Sequence, residues 1–136
     1  MNWNCNANAS ADMHPGVHAA EGMHLLADLT GIAASRLMEC AAIELLLRKA
    51  ANAANARILH SHFHSFGPDA GITGVVMLAE SHISIHTWPE QGFAAIDIFM
   101  CGNARPLEAL RVIEAGFKPV QCRLKSIKRG IVQAVP

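Results

Sequence analysis

The chain has 136 residues, about half of them hydrophobic, and its eleven basic and eleven acidic side chains cancel. That is one domain's length with enough apolar side chain for a core, and an enzyme of this size is expected to need a partner subunit. No Lys/Arg cluster forms the basic stripe of a nucleic-acid or membrane-surface binder, so small-molecule chemistry is the better expectation. Cysteines at 5, 40, 101 and 122 form no CxxC pair, which points to reduced thiols rather than a disulfide or zinc scaffold. No apolar run approaches a membrane span and the start shows no leader pattern, so a cytoplasmic protein is expected.

In chain order, residues 1–21 are rich in Asn and Ala, lack an apolar period, and read as a mobile arm ahead of a single domain over 22–136. Met23 to Leu29 reads as a strand. Ala33 to Ala56 reads as one helix, with a stripe of Ala33, Leu37, Cys40, Ile43, Leu47, Ala51 and Ala54 opposite Glu39, Lys49 and Asn52. Arg57 to Phe66 is a strand, residues 67–71 a Gly/Pro loop, and Ile72 to Ala79 a buried strand dense in branched residues. His82 to Trp88 and Gly92 to Phe99 are strands joined by a turn at Pro89, Glu90 and Gln91. Arg105 to Ala115 is a second helix and Val120 to Ile127 a last strand. This order predicts an α+β two-layer sandwich, a mostly antiparallel sheet with both helices on one face.

The chemistry concentrates in Glu80-Ser81-His82-Ile83-Ser84-Ile85-His86-Thr87-Trp88-Pro89-Glu90. If Pro89 pairs with Gly92, the same hairpin puts Cys101 opposite Glu80 and beside Ser81. If the preceding strand pairs Ala79 with His82, His86 lies across from Val75 and close to Thr73. Five strand residues separate Ser81 from His86 by roughly 16 Å, far beyond hydrogen-bond reach. One subunit does not easily join them.

The run GITGVVMLAESHISIHTWPEQGFAAIDIFMCG closely resembles the prokaryotic S-adenosylmethionine decarboxylases, self-processing pyruvoyl enzymes that supply the aminopropyl donor for spermidine. The resemblance spans about Gly22 to Arg129 and is strongest from Thr73 to Gly102. It implies cleavage between Glu80 and Ser81 into a beta chain, 1–80, and an alpha chain, 81–136. Ser81 attacks the preceding carbonyl, and β-elimination of the ester leaves a pyruvoyl cofactor that forms a Schiff base with substrate. His86 is implied as the base of that elimination, and Thr73, usually serine in the family, as support for the processing intermediate. Cys101 corresponds to the proton donor, and its register with Ser81 agrees with that role. Phe66 and Glu90 match the positions that stack adenine and bind ribose hydroxyls. The loop after Phe66 looks about one residue longer than in relatives. A homodimer with shared active sites and no metal are also implied, as Ser81 and Cys101 from one chain with Thr73 and His86 from the other.

Other readings compete. Alone, Ser81 would be a turn residue, Cys101 and Phe66 core residues, and Glu90 a solvated carboxylate. Related pyruvoyl enzymes act on arginine or ornithine, because the chemistry is indifferent to the side chain beyond the α-carbon. An inactive paralogue acting on a partner enzyme is a further possibility. His60, His62 and His64 project from one face of a strand, so a metal-binding module is an alternative from another class; otherwise they line the polar face of the sheet.

Overall fold

The computed structural model describes residues 20–130. Residues 1–19, most of the expected arm, lie outside the described residues. Among the described residues six strands, β1 (Gly22–Thr30), β2 (Ile58–Ser65), β3 (Ile72–Leu78), β4 (Ser81–Trp88), β5 (Phe93–Cys101) and β6 (Gln121–Arg129), form one sheet in the order β2-β3-β4-β5-β1-β6. Every neighbouring pair is antiparallel. Helices α1 (Cys40–Ala53) and α2 (Pro106–Phe117) complete the two-layer α+β arrangement.

The core follows from period-two alternation. Leu25, Ala27 and Leu29 of β1, Val76 and Leu78 of β3, Ile83 and Ile85 of β4, and Ala94, Ile96, Ile98 and Met100 of β5 are all buried. They share one cluster with Ile43, Leu47, Ala50 and Ala51 of α1 and with Ala109, Leu110, Ile113 and Phe117 of α2. The alternate residues of the central strands therefore face away from the helices. Gly74 sets the fit of β3 on β2, because a Cβ there would sit 2.0 Å from the Phe63 ring.

The long helix expected from Ala33 is interrupted. Ala34–Leu37 is a single 3₁₀ turn, and Glu39 is extended at φ −97°, ψ 99° before α1 starts at Cys40. Leu37 remains fully buried, as the stripe requires. Its carbonyl, however, accepts a hydrogen bond from Thr87 Oγ1 at 2.9 Å instead of continuing a helical ladder. Thr87 Oγ1 also accepts the Ile72 N–H at 2.9 Å, so this buried hydroxyl ties β3, β4 and the 3₁₀ turn together.

The β4–β5 hairpin has the expected register, with His82 opposite Phe99 and Trp88 opposite Phe93. Pro89–Gln91 forms a 3₁₀ turn that ends at Gly92, whose φ of 61° suits a residue without Cβ. The β3–β4 register differs by two residues: His86 is directly opposite Thr73, not Val75, and Leu78 is opposite Ser81. Ala79 is not paired with His82, because its N–H donates to the Arg57 carbonyl at 2.9 Å. A two-residue shift leaves every side chain on its expected face, which is why the pattern alone did not discriminate.

Candidate active site

The connection between β3 and β4 consists of Ala79 and Glu80, and Glu80 is held at φ 61°. A left-handed conformation disfavours an L-residue by about 1–2 kcal/mol. The strained residue thus lies on the N-terminal side of the Glu80–Ser81 peptide bond. Ser81 opens β4, and its Oγ accepts a hydrogen bond from the Cys101 backbone N–H at 3.2 Å. Hairpin geometry produces this contact: His82 pairs with Phe99, so Ser81, one residue before His82, comes beside Met100 and Cys101 at the end of β5.

Glu80, Ser81 and Cys101 line a hollow of about 210 Å³ together with Arg57 and Asn103. Burial raises the pKa of the Cys101 thiol, and the Glu80 carboxylate adds to that effect; the hydrogen bond with Ser81 opposes both. The thiol therefore stays protonated at neutral pH, which suits an acid better than a nucleophile.

The opposite end of β4 carries a second group. Thr73 Oγ1 and His86 Nδ1 share a hydrogen bond at 3.0 Å, a direct consequence of their cross-strand pairing. They line a hollow of about 350 Å³ that also contains Phe66, Trp88 and Glu90. Phe66 is largely exposed, and its backbone N–H is fixed by the Gly71 carbonyl at 3.1 Å. Glu90 is exposed on the turn after β4. Trp88 was not among the sequence-based candidates, although its position in the HTWPE string was visible; it stacks on Phe93 with ring centroids 5.2 Å apart.

Within one chain the site is thus divided between the two ends of β4. Ser81 and Cys101 stand at one end, and Thr73, His86, Phe66 and Glu90 at the other. Each half holds groups the other lacks: a hydroxyl and a thiol at the first, an imidazole, an aromatic platform and a carboxylate at the second.

His60, His62 and His64 lie opposite Met77, Val75 and Thr73 on the edge strand β2. Three donors that do converge among the described residues are instead His24, His82 and Asp97. No helix among the described residues is long and apolar enough to cross a membrane.

Comparison with known proteins gives concordant matches. A family model described as "S-adenosylmethionine decarboxylase" matches residues 23–130. An S-adenosylmethionine decarboxylase proenzyme of Sulfurihydrogenibium sp. is 44% identical over 116 residues, 85% of this chain and 86% of the relative. One of Methanococcus maripaludis is 42% identical over 112 residues, 82% of this chain and 91% of the relative. The crystal structure of the adenosylmethionine decarboxylase from Aquifex aeolicus superposes with a TM-score of 0.77 at 39% identity, covering 87% of this chain and 98% of that one.

Proposed function

The chain belongs to the S-adenosylmethionine decarboxylase family, and on that premise we propose that it is a proenzyme that cuts itself between Glu80 and Ser81 and then decarboxylates S-adenosylmethionine for spermidine synthesis. The observation that carries this reading is the division of groups along β4: strained Glu80, Ser81 and Cys101 at one end, Thr73 and His86 at the other.

In processing, Ser81 Oγ attacks the Glu80 carbonyl carbon. The C–N bond breaks, the hydroxyl proton passes to the leaving nitrogen, which becomes a free amine, and an ester replaces the amide. The φ of Glu80 favours this step, because cleavage releases a backbone strain that the intact turn enforces. His86 then takes the Cα proton of residue 81, held for that task by Thr73. Elimination releases residues 1–80 with a terminal carboxylate, and hydrolysis of the remaining dehydroalanine, with loss of ammonia, leaves a pyruvoyl group at the head of 81–136.

The residues present fit such a group. Its precursor heads a strand, and a protonated thiol adjoins it. When formed, it supplies the carbonyl that condenses with the substrate's α-amine and accepts the electrons released as carbon dioxide leaves. Cys101 returns a proton to the substrate carbon. Phe66 offers an exposed ring for the adenine, and Glu90 a carboxylate for the ribose hydroxyls. These two favour a nucleoside substrate over arginine or ornithine.

The two halves meet in a homodimer. The face turned away from the helices exposes Leu26, Met77, Trp88 and Ile127, an apolar surface suited to a second copy. A two-fold axis lying between two such faces and running across the strands reverses strand direction, so it lays the Ser81 end of one β4 over the His86 end of the other. Both residues are on β4, and the axis then crosses that strand near Ser84.

Mass spectrometry tests the processing: fragments 1–80 and 81–136 are expected, the second blocked to Edman sequencing, and Ser81→Ala should remain one chain. Folded wild type that also stays intact refutes self-cleavage. Carbon dioxide release from S-adenosylmethionine, arginine and ornithine, assayed separately, tests the substrate; turnover of only a basic amino acid overturns the assignment.

A further inference from the structure

We propose that His24, His82 and Asp97 form a binding site for a divalent cation of the zinc class, separate from the groups assigned to cleavage and decarboxylation. The site is built across three adjacent strands. His24 on β1 and His82 on β4 both lie opposite Phe99 of β5, so the two imidazoles flank one ring in a single row. Asp97 lies two residues back along β5 on the same face, between them. Its carboxylate is already divided: Oδ1 is hydrogen-bonded to His24 Nε2, and Oδ2 lies 3.2 Å from His82 Nε2.

One ligand atom from each residue lies within 4.8 Å of the other two. Tetrahedral zinc with bonds near 2.0–2.1 Å requires donor separations of about 3.3 Å, so small side-chain rotations complete the set. The donor chemistry is selective: two neutral imidazoles and one carboxylate suit zinc, cobalt or nickel, whereas calcium and magnesium require mostly oxygen. In the single chain the His24 side chain is 15% exposed and the other two about one-third, and all three lie on the sheet face that carries Leu26 and Trp88, so in the proposed homodimer the fourth position opens toward the second copy. Three protein ligands leave that fourth position free.

Arg129 is the built-in competitor. Its guanidinium lies 5.5 Å from the Phe99 ring centroid, and Nη1 donates to His24 Nδ1 at 3.3 Å. That contact places the ring proton of His24 on Nε2, facing Asp97. Metal on Nε2 transfers the proton to Nδ1, where the Arg129 donor must withdraw. The exposed Arg129 can do so, but its charge and its hydrogen bond both oppose the cation. Removing Arg129 should therefore strengthen binding, an outcome that a purely hydrogen-bonded His-Asp-His cluster does not produce.

The test uses the full chain carrying Ser81→Ala, so that its result does not depend on cleavage or turnover. Titration with zinc by calorimetry should show about one site per chain that is lost or weakened about tenfold or more by Asp97→Asn and by His82→Ala. The same site should survive replacement of His60, His62 and His64 together by alanine, and Arg129→Ala should tighten it several-fold. Zinc should also raise the thermal midpoint of the parent chain and not that of Asp97→Asn, whose metal-free midpoint reports that it folds. Cobalt absorption without a thiolate charge-transfer band would assign the ligands to nitrogen and oxygen. The proposal is overturned if the parent binds no zinc, if binding persists unchanged in Asp97→Asn and His82→Ala, if it follows the three β2 histidines, or if Arg129→Ala weakens it.

Discussion

Replacing Glu80 by glycine should slow self-cleavage without weakening the fold. At φ 61°, Glu80 occupies a conformation that disfavours an L-residue by about 1–2 kcal/mol and glycine hardly at all. If that strain is released as the Glu80–Ser81 amide is converted to an ester, the intact precursor of Glu80→Gly lies lower by that amount while the transition state does not. At about 1.4 kcal/mol per factor of ten, the cleavage rate should fall by about 5–30-fold. The extra backbone freedom of glycine in the unfolded chain opposes the gain by about 0.5–1 kcal/mol, so net stability changes by no more than about 1.5 kcal/mol. Two companion variants separate strain from charge. Glu80→Gln keeps the strain, loses the carboxylate, and should cleave at close to the parental rate. Glu80→Asn relieves part of the strain, because asparagine tolerates this region, and should fall between them. The assay is the appearance of fragment 81–136 after refolding from urea, followed by gel and mass. A Glu80→Gly chain that folds and cleaves as fast as the parent, or one matched in its slowing by Glu80→Gln, refutes the argument.

Three further expectations follow from particular contacts. Cys101 must be protonated to act as an acid, and its pKa is raised, so turnover should hold through neutral pH and fall only above the ordinary thiol range. Cleavage removes the Ser81 hydroxyl, the one influence that lowers the thiol's pKa, and Glu80→Gln should move the alkaline limb of kcat downward; a limb below the ordinary thiol value in the parent contradicts the assignment. Thr87→Val removes both hydrogen bonds of a buried hydroxyl and strands the Ile72 N–H and the Leu37 carbonyl, which should destabilise uncleaved Ser81→Ala by about 2–4 kcal/mol in urea unfolding. A loss under about 1 kcal/mol would show that Thr87 is not the tie described above. Ser84→Glu adds a carboxylate beside Asp97, its direct cross-strand partner, in each copy near the proposed two-fold axis, and should shift sedimentation toward monomer and abolish cleavage together; a stable, cleaving dimer places the axis elsewhere.

The legible parts of the molecule are those governed by local pattern. Alternation in β3, β4 and β5 identified the buried face, and the Pro89–Gly92 turn gave the β4–β5 register, which brought Cys101 to Ser81. The misread parts depend on contacts distant in sequence. The Leu37 carbonyl is taken by Thr87 and the Ala79 N–H by Arg57, and neither partner could be inferred from spacing. These contacts shorten the first helix and shift β3 against β4. The histidines show the same contrast: His60, His62 and His64 drew attention because they alternate on one strand, whereas His24, His82 and Asp97 converge from three strands and leave no sequence period.

The corrected β3–β4 register matters more to the chemistry than its size suggests. With Val75 opposite His86, Thr73 would be a diagonal neighbour, able to crowd the imidazole but not to orient it. Direct pairing instead gives Nδ1 a fixed partner at 3.0 Å and leaves Nε2 as the nitrogen free for the proposed proton abstraction from residue 81. The same shift places the turn at Ala79–Glu80, so the left-handed residue immediately precedes Ser81. Had Ala79 paired with His82, the turn would have been Glu80–Ser81 and the serine would not have headed a paired strand. One backbone hydrogen bond, Ala79 to Arg57, thus goes with the strained Glu80 at one end of β4 and the Thr73–His86 pair at the other, so both groups follow from a single register.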